Sequence, residues 1–162
     1  MHLVFGLVAL IGLVISVVVH LLAVSGMDVL ARFPYVWLLH IGIFVVFIPY
    51  AFSSRKTLGS RPTLAQIRTQ FPDWVVAVGL CLLAYTIANF FLFMHAVSFG
   101  SPEIHEGKFL LLDHGKLIRE LTADEFASLR SHQVRGFSGH WMFFYFVAFA
   151  YFLLRKRETS PS

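Results

Sequence analysis

The sequence predicts an all-α integral membrane protein, a four-helix up-and-down transmembrane bundle with a small outer cap between its third and fourth crossings. Three observations predict it. Of 162 residues, 57% are hydrophobic and only 14% charged, too apolar for an ordinary soluble domain. Four apolar runs, 3–24, 35–52, 74–99 and 137–154, each approach the roughly 17–25 residues a helix needs to cross the hydrocarbon core. None of them shows the strict alternation of a barrel strand, and in lipid a helix satisfies its own backbone. The whole chain, 1–162, reads as a single membrane domain.

The first run ends in Ala23-Val24-Ser25, which resembles a signal-peptidase site. No Lys or Arg precedes it and the apolar stretch is long, so a retained crossing is expected. A short outer loop, 25–34, leads into the second crossing, whose inner end Pro49 should kink. The inner loop, 53–73, carries Arg55, Lys56, Arg61 and Arg68. A short interfacial helix is expected over 63–70, after Pro62, with Leu64 and Ile67 toward lipid. Phe71-Pro72-Asp73-Trp74 then opens the third crossing, with Trp74 at headgroup depth.

The outer segment 100–136 has more pattern than a connector requires. Residues 108–112 and 116–121 flank Asp113-His114-Gly115, which suits a hairpin turn. Thr122 and Glu125 form a capping box for an amphipathic helix running to about 134. Gly136 and Gly139 then allow a bend, and Ser138 caps the fourth crossing. A frayed polar tail is expected over 158–162.

Arg155, Lys156 and Arg157 follow the last crossing, so both basic clusters fall on one side. By the positive-inside rule that side is cytoplasmic, along with both termini, as in a bacterial inner (plasma) membrane protein. The formal net charge of +4 is thereby explained by topology, and a nucleic-acid partner is not indicated. Cys81, the single cysteine, lies in an apolar run and reads as packing.

The feature that suggests chemistry is a layer of histidines, His20, His40, His95 and His140, one per crossing and all near the outer side. Ionisable side chains in lipid are costly without partners. In the first run Ala9, Gly12, Ser16 and His20 form a small, polar stripe, and in the third Ala77, Cys81, Ala84, Ala88, Phe91 and His95 follow the same rhythm. Small residues are what close membrane-helix seams use, so both stripes are expected to face protein. His40 shares a face with Phe33, Trp37 and Phe44, and His140 with Phe144, Val147 and Tyr151; these bulky faces suit lipid or a large planar cofactor. Thr86 and Asn89 are expected to bond between helices.

Two classes of function follow. In the first, the four histidines bind a b-type haem, or alternatively a Zn or Cu ion, for redox transfer or sensing. Diagonal helices would pair His20 with His95 or His40 with His140 as axial ligands, with 18 phenylalanines for apolar walls and Arg32, Arg119 and Arg135 for propionates. That layout is similar to four-helix membrane b-type cytochromes, without a family motif behind it. For a metal, Glu103, His105, His114 and His132 could join, Met27 and Met94 would favour copper, and Asp28 and Asp113 are the candidate supporting carboxylates. In the second class the chain is a non-enzymatic accessory protein whose cap, 100–136, binds a protein partner while lipids surround the bundle and the histidines are structural. No catalytic residue is assigned, because no elbow or HExxH spacing is present.

Overall fold

The computed structural model describes residues 1–97 and 100–156; the end of the third apolar run and the 158–162 tail lie outside the described residues. Four helices are long and apolar enough to cross a membrane, which fits an integral membrane protein. They are α1 (His2–Val24), α3 (Leu38–Leu58), α5 (Asp73–Ala96) and α6 (Ala123–Phe149), with a π turn, Ala150–Leu154, closing α6. Their outward surfaces carry Leu3, Leu7, Ile11, Phe44, Ile48, Leu83 and Phe91, all exposed. So much contiguous apolar surface suits lipid and not water.

The four helices do not pack with the second and fourth held apart as diagonals, the arrangement expected of an up-and-down bundle. α6 is a hub: α1, α3 and α5 all pack on it, α1 also touches α3, and α5 makes little contact with either. The cause is local. α1 turns Gly6, Ala9, Gly12, Ser16, Val19, His20 and Ala23 inward, a narrow face that lets α6 approach closely. A Cβ at Gly12 would fall 2.6 Å from both Cδ1 and Cζ of Tyr145. Tyr145 is nearly buried, and its hydroxyl donates to the Leu39 carbonyl of α3 at 2.8 Å, so one side chain joins three helices.

α5 turns Val75, Val76, Thr86 and Asn89 to the hub. Thr86 Oγ1 donates to the Gly139 carbonyl at 3.0 Å, and Asn89 Nδ2 to the carbonyls of Arg135 at 2.9 Å and Gly136 at 3.4 Å. The interhelical role expected of both residues holds. The bend expected at Gly136 and Gly139 does not occur, for α6 is continuous from Ala123. Those glycines serve close approach: a Cβ at Gly136 would meet Phe93 Cβ at 2.8 Å, and one at Gly139 the Asn89 amide at 2.7 Å. Ser138 is accordingly mid-helix and caps nothing. α3 continues through Pro49 and outlasts its apolar run, ending at Leu58 before Gly59.

Two short helices fill the connections. α2 (Val29–Arg32) is capped by Asp28, which accepts from the Ala31 amide at 3.1 Å and pairs with Arg130 at 3.4 Å. α4 (Leu64–Gln70) is the expected inner helix; Thr63 and Gln66 form its capping box, Leu64 is exposed and Ile67 packs beside Phe71.

The chain is not all-α, because the cap holds a three-stranded antiparallel meander. Its strands are β1 (Ser101–His105), β2 (Lys108–Asp113) and β3 (Lys116–Glu120). The expected hairpin is β2–β3. β1 was legible by the same signal, since Glu106-Gly107 and His114-Gly115 are both two-residue turns with positive φ at both positions. Such turns match the twist of the strands they join. The Thr122–Glu125 capping box is present, and Leu111, Leu121 and Phe126 form a small core between sheet and helix.

Candidate functional site

Three of the four histidines meet α6 within one turn of one another, and each does something different. His20 is 5% exposed. Its Nδ1 lies 2.8 Å from Ser138 Oγ and its Nε2 2.6 Å from Tyr85 Oη. Ser138 donates its only hydroxyl proton to the Arg135 carbonyl at 3.1 Å, so it accepts from His20 Nδ1–H. In the neutral ring Nε2 is then the bare nitrogen, and the Tyr85 hydroxyl donates to it. The neutral ring ties α1, α5 and α6 together with both nitrogens in use.

His40 packs edge-on against Trp37, Phe44 and Phe137, and the Trp141 indole N–H donates to its Nδ1 at 3.1 Å. An indole can only donate, so Nδ1 holds the lone pair and the neutral ring carries its proton on Nε2. His140 has the opposite tautomer. Its Nδ1–H donates to the Gly136 carbonyl one turn back at 3.0 Å, so in the neutral ring Nε2 holds the lone pair. Both rings line one cavity of about 170 Å³ between α3, α5 and α6, otherwise walled by Ile43, Phe90, Phe93, Gly136, Phe137 and Phe144. Of those bulky faces, Trp37, Phe144 and Tyr151 turn inward, while Phe33 and Phe44 stay exposed.

His95 is exposed, and so is the rest of the stripe expected to face protein: Ala77, Cys81, Ala84, Ala88 and Phe91. The expectation for that face is overturned. These positions lie two residues out of phase with Thr86 and Asn89, on the opposite side of α5. The two axial pairs therefore fare differently. His20 and His95 are not brought together, one buried and hydrogen-bonded, the other facing outward; His40 and His140 share a cavity.

The residues fit neither proposed group as they stand. The cavity is smaller than the roughly 300–1,000 Å³ of ordinary ligand sites, and haem is among the larger ligands. His40 offers an N–H where an axial ligand needs a lone pair; a metal-bound histidine normally donates from its other nitrogen, as His140 does. Among the described residues no three His, Cys, Asp or Glu side chains form a metal-holding group. Asp113 is engaged by His114 at 2.6 Å in the exposed turn, and Arg119 by Glu125 at 2.8 Å in the cap. Outside the crossings, the Thr122 backbone N–H and then the Arg119 guanidinium hold the Glu125 carboxyl below its usual range.

The cap supplies the other candidate surface. β1 and β2 rest against α6, whereas β3 touches little but β2 and all five of its residues are exposed. Ile104, Leu117 and Ile118 stand out on this small sheet as exposed large apolar side chains. The sequence locates the β2–β3 hairpin but does not show that β3 stays uncovered: β1 pairs the other side of β2, and β3 is left at the margin of the sheet. No protein-family model, curated protein or solved structure matches this chain.

Proposed function

We propose that the chain is a non-enzymatic accessory protein of a membrane, whose cap binds a partner protein and whose buried histidines are structural struts. The observation that carries this reading is the β3 edge, an open strand with Leu117 and Ile118 exposed. Lys116, Arg119 and Glu120 on the same strand are charges of the kind that discourage indiscriminate pairing, and an added strand from a matching chain is a standard way to cover such an edge. The donor and acceptor assignments at His20, His40 and His140 support the structural role, since each ring is held by an internal bond. On the positive-inside pattern the cap lies outside the cytoplasm.

The test is mild-detergent purification of the full chain at native abundance, beside Leu117→Lys/Ile118→Lys. A stoichiometric partner retained by the wild type and lost from the equally stable variant is the expected result. Absence of any stoichiometric partner, or retention by the variant, refutes it. The second reading, a b-type haem or a Zn or Cu ion, has His40 and His140 as its one converging pair, and it requires the cavity between them to widen and His40 to exchange its tautomer. A Soret band sensitive to dithionite and lost in His140→Ala would establish haem there, and stoichiometric metal without that band would establish the ion.

A further inference from the structure

At the opposite end of the bundle an apolar groove of about 210 Å³ opens between α4, α5 and α6. Leu58, Ile67, Phe71, Phe146 and Tyr151 line it, and Leu64, Leu80 and Leu83 at its rim are exposed. Beside it lies a second pocket, of about 320 Å³ and opposite character, formed by Lys56, Thr57, Gln70, Arg155 and Lys156. One side chain divides them. The Tyr151 ring lines the groove; its hydroxyl bonds with Ser53 at 2.8 Å and Thr57 at 2.9 Å; and the Arg155 guanidinium sits 5.2 Å over the ring. The π turn that carries Tyr151 is a rare geometry often found where a helix is adapted to a site.

We propose that groove and pocket form one site for an anionic lipid, with its phosphate among Lys56, Arg155 and Lys156 and an acyl chain along the groove. Positive-inside patterning accounts for basic residues on this side. It does not require cations from two distant segments to converge on one pocket, with no acidic residue lining it, next to an apolar channel. Among the described residues none of the three cations forms an ion pair. Helix, hydroxyl and ring place charge and grease within one amphiphile's reach.

The experiment is native mass spectrometry of the full chain titrated with phosphatidylglycerol, phosphatidylcholine or inorganic phosphate. Two variants accompany it. Lys56→Gln/Arg155→Gln/Lys156→Gln removes the charges. Gly79→Met fills the groove, since a Cβ there meets only Phe146 at 3.5 Å and the seam tolerates it. Phosphatidylglycerol should bind well above phosphatidylcholine, and the triple variant should lose on the order of a hundredfold, from about fivefold per cation near a membrane surface. Gly79→Met should also weaken phosphatidylglycerol binding, with the melting temperature held. Equal binding of the two lipids overturns the proposal. An unaffected Gly79→Met, with loss only in the triple variant, reduces the site to general surface attraction and overturns it too. Inorganic phosphate binding as tightly as the lipid would assign the pocket to a free anion instead.

Discussion

Gly12→Ala is the sharpest test of the hub. A methyl at this position of α1 would lie 2.6 Å from Cδ1 and Cζ of Tyr145, where carbon atoms prefer about 3.5–4.0 Å. The ring must therefore retreat by roughly an ångström in an interior packed like a crystal. It cannot retreat freely. On its far side Gly42 of α3 leaves room only for hydrogen against the Tyr145 hydroxyl, and that hydroxyl is bonded to Leu39. Overpacking of this kind costs about 1–3 kcal/mol. Losing the hydroxyl's bond alone, in Tyr145→Phe, should cost about 0.6 kcal/mol, the average for interhelical bonds in lipid. Tyr145→Leu should make Gly12→Ala nearly harmless, so a double-mutant cycle should return a coupling of about 1 kcal/mol or more. Reversible unfolding in mixed micelles, followed by far-ultraviolet circular dichroism, measures all four states. A Gly12→Ala effect within about 0.5 kcal/mol, with no coupling, would refute the close approach of α1 and α6.

Four further outcomes follow from the geometry. Gly139→Ala should destabilise by about 1–3 kcal/mol through its clash with the Asn89 amide, whereas relief of a flexible glycine would stabilise by up to about 1 kcal/mol; the sign of the shift in chemical unfolding decides. His20→Ala should cost about 2 kcal/mol or more, from a cavity and two lost bonds, while exposed His95→Phe should stay within about 0.5 kcal/mol; equal effects in a melting assay would contradict their different burial. Thr122→Ala should fray the start of α6 by about 1 kcal/mol, read by amide exchange at Glu125 and Phe126. Because the Glu125 carboxyl is held low when folded, its contribution is fully present above the unfolded carboxyl range and fades as pH falls through the folded value. Arg119→Gln should raise that value in a side-chain titration by nuclear magnetic resonance.

How far the sequence could be read depended on what lipid leaves visible. Crossings and caps were legible because length, apolarity and the Thr122–Glu125 spacing are local signals. The inward face of α1 was legible too, since Gly12, Ser16 and His20 interrupt a run of large residues. α5 offers no such contrast. Both of its faces are apolar, and its small-residue rhythm at Ala77, Cys81, Ala84 and Ala88 mimics a seam while lying exposed. The truer guide was polarity: Thr86 and Asn89 need partners in hydrocarbon and so must face protein. For the histidines, sequence supplied depth but not environment. That Trp141 dictates the tautomer of His40, 101 positions away, is a property of packing that no local spacing encodes.

The position of the hub along the chain has a consequence for biosynthesis. Of the four long helices, the first three emerge from the ribosome before α6, on which most of their packing surface waits. α1 and α3 can meet early, but α5 has little protein to pack on until α6 is made. During that interval Asn89 and Thr86 face hydrocarbon without their carbonyl acceptors. Assembly of the four helices is thus a late, long-range event, and the step most exposed to quality control is the arrival of α6.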